Sequence, residues 1–334
     1  MTKVLIIRGQ DRHTYRLEQT MQMCQVDWKT VTKYEDMYPT EKCDITFVDP
    51  SLSYDPTPNI NSTHTLFFDC EDGPRDFNPG VAYEAMKDKV NFYAKMNWVE
   101  NDRGDGIKNI GYPLSVYMNL SQVAAVDIPP FSHNNALPFL VGAGTFIGGY
   151  EVEDESLFEK DCELDISSLG LYDDGKWMYN QRVDWLLSLR KSNIPHIGGI
   201  VFKTDNLSKE WQSKYFGDGM FNLEVPPIPY NSYIQQLFHN RVGLCPTGHD
   251  RMSWRVFDIM AAGAILIWTD SKKQQSMYMP KEYTTIKDGE NLGKTLLQLQ
   301  PDYKELWKAC QENRKVFKGL TPEKIWYDFM EQMK

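Results

Sequence analysis

Short apolar runs bounded by polar turns recur through the first third of the chain. They are KVLIIRG (3–9), DITFVD (44–49) and TLFFDC (65–70). Runs this short, apolar at successive positions rather than alternate ones, are what strands buried on both faces of a parallel sheet require. Apolar positions at helical intervals predict helices over residues 14–24 and 81–96, and YPLSVYMNL (112–120) reads as a strand. A second series starts near residue 163. DISSLGLY (165–172) reads as a strand, MYNQRVDWLLSLRK (178–191) as an amphipathic helix and HIGGIVF (196–202) as a strand. YNSYIQQLFHN (230–240) follows as a helix, then VGLCP (242–246) and EYTTI (282–286) as strands. Two tail helices close the chain, the second announced by Thr321 as cap and Pro322 at the first helical position.

Strand and helix alternate in both halves, which argues for two α/β domains with mostly parallel sheets. The length of 334 residues agrees, since one hydrophobic core rarely grows that large. The expected boundaries are 1–160, 161–318 and a C-terminal helix over 319–334 that returns to the first domain.

The segment CPTGHDRMSWRVFDIMAAGAILIW (245–268) concentrates the chemistry. Val242–Cys245 is a strand, Ser253 caps a helix, Gly263 ends it, and Ala264–Trp268 is the next strand. The helix therefore begins outside the carboxyl end of a strand, where open α/β sheets bind ligands. Arg255 and Asp258 sit three apart on one face of its first two turns. The helix start favours anions, and an arginine there strengthens that preference. An acid one turn later accepts hydrogen bonds from sugar hydroxyls. Together they suit a ribose carrying a diphosphate, and Gly248 in the preceding loop lets the backbone approach phosphates closely. The competing reading is a solvated i,i+3 ion pair worth a few tenths of a kcal/mol. On the ligand reading Arg255 is a surface arginine at the helix mouth, removable without leaving a cavity.

This segment resembles the donor-binding segment of two-domain glycosyltransferases of the GT-B fold. It is similar to exostosin-type and spore-coat-type members, with a Pro-x-Gly loop leading to Ser-x-Arg-x-x-Asp/Glu. It also resembles phage DNA β-glucosyltransferases. The resemblance implies two Rossmann-like domains facing each other across a cleft. It implies that Arg255 contacts donor phosphates or ribose and Asp258 the ribose, with Thr247, Gly248 and Ser253 lining the same loop and helix start. Asp258 is a methylene shorter than the Glu commoner at that position. By the same resemblance, Arg182, with Lys176 second to it, contacts the diphosphate, and Tyr230 in PPIPYNSYI (226–234) lines the base slot. Solvated charges and turn prolines explain those two stretches as well. In the first domain, TLFFDCEDG ends a strand directly into carboxylates. Asp69 is the candidate base for the acceptor hydroxyl and Asp72 its reserve, against the plain reading of an acidic turn.

Charge and composition narrow the partners. The net charge of −10 disfavours non-specific nucleic-acid binding, which needs a basic footprint. The first apolar run, VLII, is too short for a signal-peptide core, and no later stretch reaches membrane length, so a cytoplasmic location without a membrane span is expected. Six dispersed cysteines without a CxxC pair read as reduced thiols. The six histidines show no ligand spacing, no acid pair matches a metal-binding Asp-x-Asp, and no Walker loop occurs. Gly142, Gly144, Gly148 and Gly149 miss the dinucleotide fingerprint by one residue. No essential metal or cofactor is expected.

The expected function is transfer of a sugar from a nucleoside-diphosphate donor, UDP favoured, to an acceptor hydroxyl, with inversion. The acceptor is a glycan, a lipid-linked hydroxyl or another hydroxyl. Modification of a hydroxymethylated DNA base, as in phage enzymes, and non-catalytic binding of a nucleotide sugar are the alternatives.

Overall fold

The structure is a computed structural model. It describes residues 2–9, 15–32, 42–69, 80–99, 106–128, 151–152, 185–186, 188–189, 191–194, 196, 201–202, 209, 229–239, 242–246, 254–269, 274–286 and 291–334. The chain divides into two compact units. Unit 1 comprises Met1–Ser121, Lys272–Met279 and Gly319–Lys334, and unit 2 comprises Gln122–Ser271 and Pro280–Lys318.

Unit 1 is built on β1 (Lys3–Ile7), α1 (Tyr15–Met23), β2 (Asp27–Val31), β3 (Cys43–Val48), β4 (Ser62–Asp69), α2 (Val81–Met86), β5 (Phe92–Lys95), β6 (Asn97–Val99), β7 (Lys108–Gly111) and α3 (Val116–Ala125). Six of the strands form one sheet in the order β2-β1-β3-β4-β5-β7, every neighbouring pair parallel. The order reverses at β1, with β2 on one side and β3 on the other, which is the topological switch of a doubly wound sheet. One face packs Leu5, Ile7, Val48, Phe67 and Tyr93 into a common core. The other face receives the C-terminal helix Pro322–Glu331, whose Phe329 stacks on Phe47 with ring centroids 5.7 Å apart. That helix is fixed at both ends. Thr321 accepts a hydrogen bond from the Lys324 amide, and the Gly111 amide donates to the Gln332 side chain at 2.6 Å. The C-terminal helix therefore packs on the first unit.

Two predicted elements are corrected. Residues 81–96 form α2 and then β5, not one helix. The apolar positions from Val90 to Met96 are nearly contiguous, and that contiguity belongs to a strand inside a parallel sheet. Residues 112–120 are not a strand. The chain enters α3 at Val116, and Tyr117, Leu120 and Ala124 are buried at helical intervals. The edge strand β2, mostly exposed, was not anticipated.

In unit 2 the described elements are β8 (Glu151–Val152), β9 (Val201–Phe202), α4 (Tyr230–His239), β10 (Val242–Cys245), α5 (Trp254–Ala262), β11 (Ile265–Thr269), β13 (Thr284–Ile286), α6 (Leu292–Leu299) and α7 (Tyr303–Phe317). The strand between β11 and β13, β12 (Gln274–Ser276), belongs to unit 1 and pairs antiparallel with β6. Strands β10, β11 and β13 form a parallel sheet in that order. The segment predicted as strand, helix, glycine stop and strand takes that form. Gly263 has φ +71°, the left-handed stop that glycine accepts without strain.

The far end of α5 is anchored by α7. Gln311 donates to the Gly263 carbonyl at 2.7 Å and Arg314 to the Ala261 carbonyl at 3.1 Å, satisfying two acceptors left open where the helix ends. Close approach of α5 to β10 depends on Gly243. A Cβ there would fall 2.7 Å from Cγ1 of buried Ile259. Gly243→Ala is therefore expected to destabilise the protein by about 1–3 kcal/mol, as overpacking of a stiff, branched neighbour does. A lowered urea midpoint checks this, and an unchanged midpoint would show that α5 can shift outward.

Candidate functional site

Helix α5 buries almost every side chain it carries, including Val256, Phe257, Ile259, Met260, Ala261 and Ala262. Arg255 shares that burial at 7% exposure. The expectation of a surface arginine is thus corrected: apolar neighbours on both sides of Arg255 draw it inward, and its removal would leave a void. Asp258, one turn on, is half-buried. Its carboxylate takes a hydrogen bond from the Tyr230 hydroxyl on α4, at 2.7 Å to Oδ1. The bland reading of a solvated Arg255–Asp258 pair does not describe this arrangement. The arginine is interior, and the acid accepts a hydrogen bond from a tyrosine on the neighbouring helix.

Helix α4 supplies this contact through its own pattern. Tyr233, Ile234, Leu237 and Phe238 are buried at spacings of one, three and four residues. Tyr230 lies on the same face as that stripe but is the first residue of the helix, and there it is 47% exposed. The rings of Tyr230 and Tyr233 meet edge to face, 6.0 Å apart.

Electrostatics follow from the burial. Desolvation pushes the Asp258 carboxyl up to about 6, while the Tyr230 hydrogen bond and the charge of Arg255 hold it down. Tyr230 and Tyr233 both titrate above the ordinary phenol range, first through burial and next through the nearby Asp258 charge. Unit 2 therefore gathers a guanidinium, a carboxylate and two phenols at the start of one helix, beside the carboxyl end of β10. A guanidinium suits phosphate oxygens, and a carboxylate suits vicinal hydroxyls.

In unit 1, Asp69 ends β4 and is 5% exposed. Its register partner on β5 is Lys95, whose Nζ lies 3.0 Å from Oδ2 and whose side chain is fully buried. The Tyr93 hydroxyl donates to the same oxygen at 3.5 Å. Sequence reasoning singled out the acid and missed the lysine. At the switch point, Asp49 Oδ2 accepts from the Gly9 amide at 2.9 Å, and Arg8 lies 3.5 Å from Glu18. Asp72, Lys176, Arg182, Thr247, Gly248 and Ser253 lie outside the described residues. Among the described residues no group of three or more metal-type ligands occurs, and no helix is long and apolar enough to cross a membrane.

Solved structures place this architecture. A trehalose-6-phosphate protein from E. coli bound with UDP-2-fluoro glucose matches over 99% of both chains, at 11% identity and a TM-score of 0.54. The chain has the GT-B fold. An alpha-glucosyltransferase in complex with UDP and a 13-mer DNA matches over 99% of this chain and 98% of its own, at 9% identity and a TM-score of 0.48. Sucrose-phosphate synthase from Thermosynechococcus elongatus matches over 100% and 97%, at 11% identity and a TM-score of 0.44. The likeness to the E. coli protein carries the fold assignment, and the other two are looser. No family model and no curated protein matches the sequence. Within a GT-B chain, the α5 group lies in the unit with the β10-β11-β13 sheet, and the Asp69–Lys95 pair in the unit with the six-stranded one.

Proposed function

We propose that this protein is a metal-independent glycosyltransferase that moves a sugar from a nucleoside-diphosphate donor, UDP favoured, to the hydroxyl of an acceptor such as a glycan. The observation that carries the reading is the buried Arg255 beside Asp258 at the start of α5. A buried guanidinium at a helix start, one turn from a half-buried carboxylate, is suited to a diphosphate joined to a ribose. The fold supports the reading, since the E. coli protein that shares it was solved bound with a UDP-sugar.

In the proposed reaction the bond from the anomeric carbon to the diphosphate oxygen breaks as the acceptor oxygen bonds to that carbon. The acceptor proton passes to a base, for which Asp69 is the candidate and Asp72 the reserve. Arg255, aided by Arg182, stabilises the charge that collects on the leaving diphosphate, the largest catalytic contribution expected here. Asp258 orients the donor through the ribose, and Tyr230, with Lys176 and the Thr247–Gly248–Ser253 stretch, completes the donor side. The reaction needs no redox step.

The test is a thermal-shift screen with UDP-, GDP- and ADP-sugars. Selective stabilisation by one base is expected, and no shift with any of them would refute the reading. The pH dependence sharpens it. An acid raised from its ordinary value to about 6 favours the folded state in its protonated form, so donor-free stability should fall slightly as pH rises from about 4 to about 6. Donor binding that uses ionised Asp258 should strengthen over the same interval. Opposite slopes for free and donor-bound protein are the expected result, and parallel slopes would remove Asp258 from the donor site.

A further inference from the structure

We propose that Tyr233 is a further donor-contacting residue, its buried hydroxyl reserved for an oxygen of the nucleoside diphosphate. The proposal rests on the reading of Arg255 and Asp258 as a donor site, and adds a residue that neither the sequence motif nor the fold assigns.

Tyr233 lies one helical turn after Tyr230 and is 8% exposed. Its ring packs with the stripe of α4 that Ile234 and Leu237 continue. Phenylalanine would fill that place equally well. The hydroxyl is shut off from solvent and has no hydrogen-bond partner among the described residues. Buried tyrosines ordinarily find a partner, because a desolvated hydroxyl left unmatched opposes folding. Tyr230 obeys that rule by donating to Asp258, whereas among the described residues Tyr233 has no such partner.

The surroundings indicate what the missing partner is. The rings of Tyr233 and Tyr230 meet edge to face 6.0 Å apart, Tyr230 donates to Asp258 at 2.7 Å, and the charges of Asp258 and Arg255 both act on the Tyr233 phenol. The hydroxyl thus lies within the same group of side chains that the donor reading assigns to phosphate and ribose. A phenol that stays protonated is a hydrogen-bond donor, and it suits a phosphate or ribose oxygen held by Arg255 and Asp258. The exposed Tyr230 covers this group by its contact with Asp258, and a ribose that takes over the carboxylate would release it.

The experiment compares wild type, Tyr233→Phe and Arg255→Gln, by calorimetric titration with whichever of UDP, GDP and ADP wild type binds best, and by thermal unfolding without ligand. Tyr233→Phe removes one oxygen and no packing. It is expected to lower nucleotide affinity about tenfold. It should raise the donor-free melting temperature, since an unmatched buried hydroxyl is gone. This pair of opposite signs is what a purely structural tyrosine would not produce. Wild-type affinity in Tyr233→Phe, with affinity lost in Arg255→Gln, overturns the role of Tyr233 alone. Wild-type affinity in both variants, or no nucleotide binding by wild type, overturns the donor site and this inference with it.

Discussion

Arg255→Gln is expected to weaken nucleoside-diphosphate binding by roughly 30-fold to several thousand-fold. The range corresponds to about 2–5 kcal/mol for truncating one partner of a buried charge pair. The donor brings negative phosphate charge to a position that burial has stripped of water, so no solvent compensates for the lost guanidinium. Glutamine is the informative replacement because Arg255 is interior. Alanine would leave a cavity and confound binding with stability. Arg255→Lys keeps the charge but not the planar fork, and should fall between wild type and Arg255→Gln. Isothermal titration, with circular dichroism as the folding control, makes the comparison. A folded Arg255→Gln protein with wild-type donor affinity would end the assignment of α5 as the donor site.

How far the sequence foretold this arrangement depends on whether the relevant physics is local. The β10–α5–β11 segment was legible because each signal lies within a few residues. Apolar runs give the strands, Gly263 gives the stop, and three-residue spacing places Arg255 and Asp258 on one face. Strands β1, β3 and β4 of the first sheet were legible because each ends in an apolar run buried on both faces. Strand β2 was not, because at the sheet edge its side chains face water and its sequence, DWKTV, carries no apolar run. The boundary between α2 and β5 was lost because apolar residues at Ala82, Met86, Val90 and Tyr93 mimic one helical stripe across a turn.

Within the candidate site, the missed residues are those whose meaning comes from another element. Tyr233 looks like an ordinary apolar position of α4 until its hydroxyl is seen, near the charges of α5, without a partner among the described residues. The burial of Arg255 was misjudged for a related reason. Helical spacing gives the face on which a side chain lies, but the neighbours that cover that face come from elsewhere in the unit. Lys95 is the extreme case. It becomes significant only through the parallel register that sets it opposite Asp69.

That register makes Lys95→Met the variant with the largest expected effect on stability. Lys95 is among the largest fully buried side chains of the described residues, and its ammonium lies 3.0 Å from an almost equally buried carboxylate. Methionine replaces the stem with similar volume, so packing changes little. The carboxylate of Asp69 is left in the sheet without its lysine counter-charge, and breaking a buried pair from one side costs about 3–5 kcal/mol. Restoring neutrality should recover much of that loss. The double variant Lys95→Met/Asp69→Asn is therefore expected to unfold at a higher urea concentration than Lys95→Met alone. Sugar transfer separates this structural role from a chemical one. If Asp69 is the base, the double variant regains stability but not transfer. A double variant that transfers sugar at the wild-type rate would move the base away from Asp69, with Asp72 the next carboxylate to test. If Lys95→Met alone unfolds with the wild-type midpoint, the pair is not the buried anchor of β4 and β5 that its geometry describes.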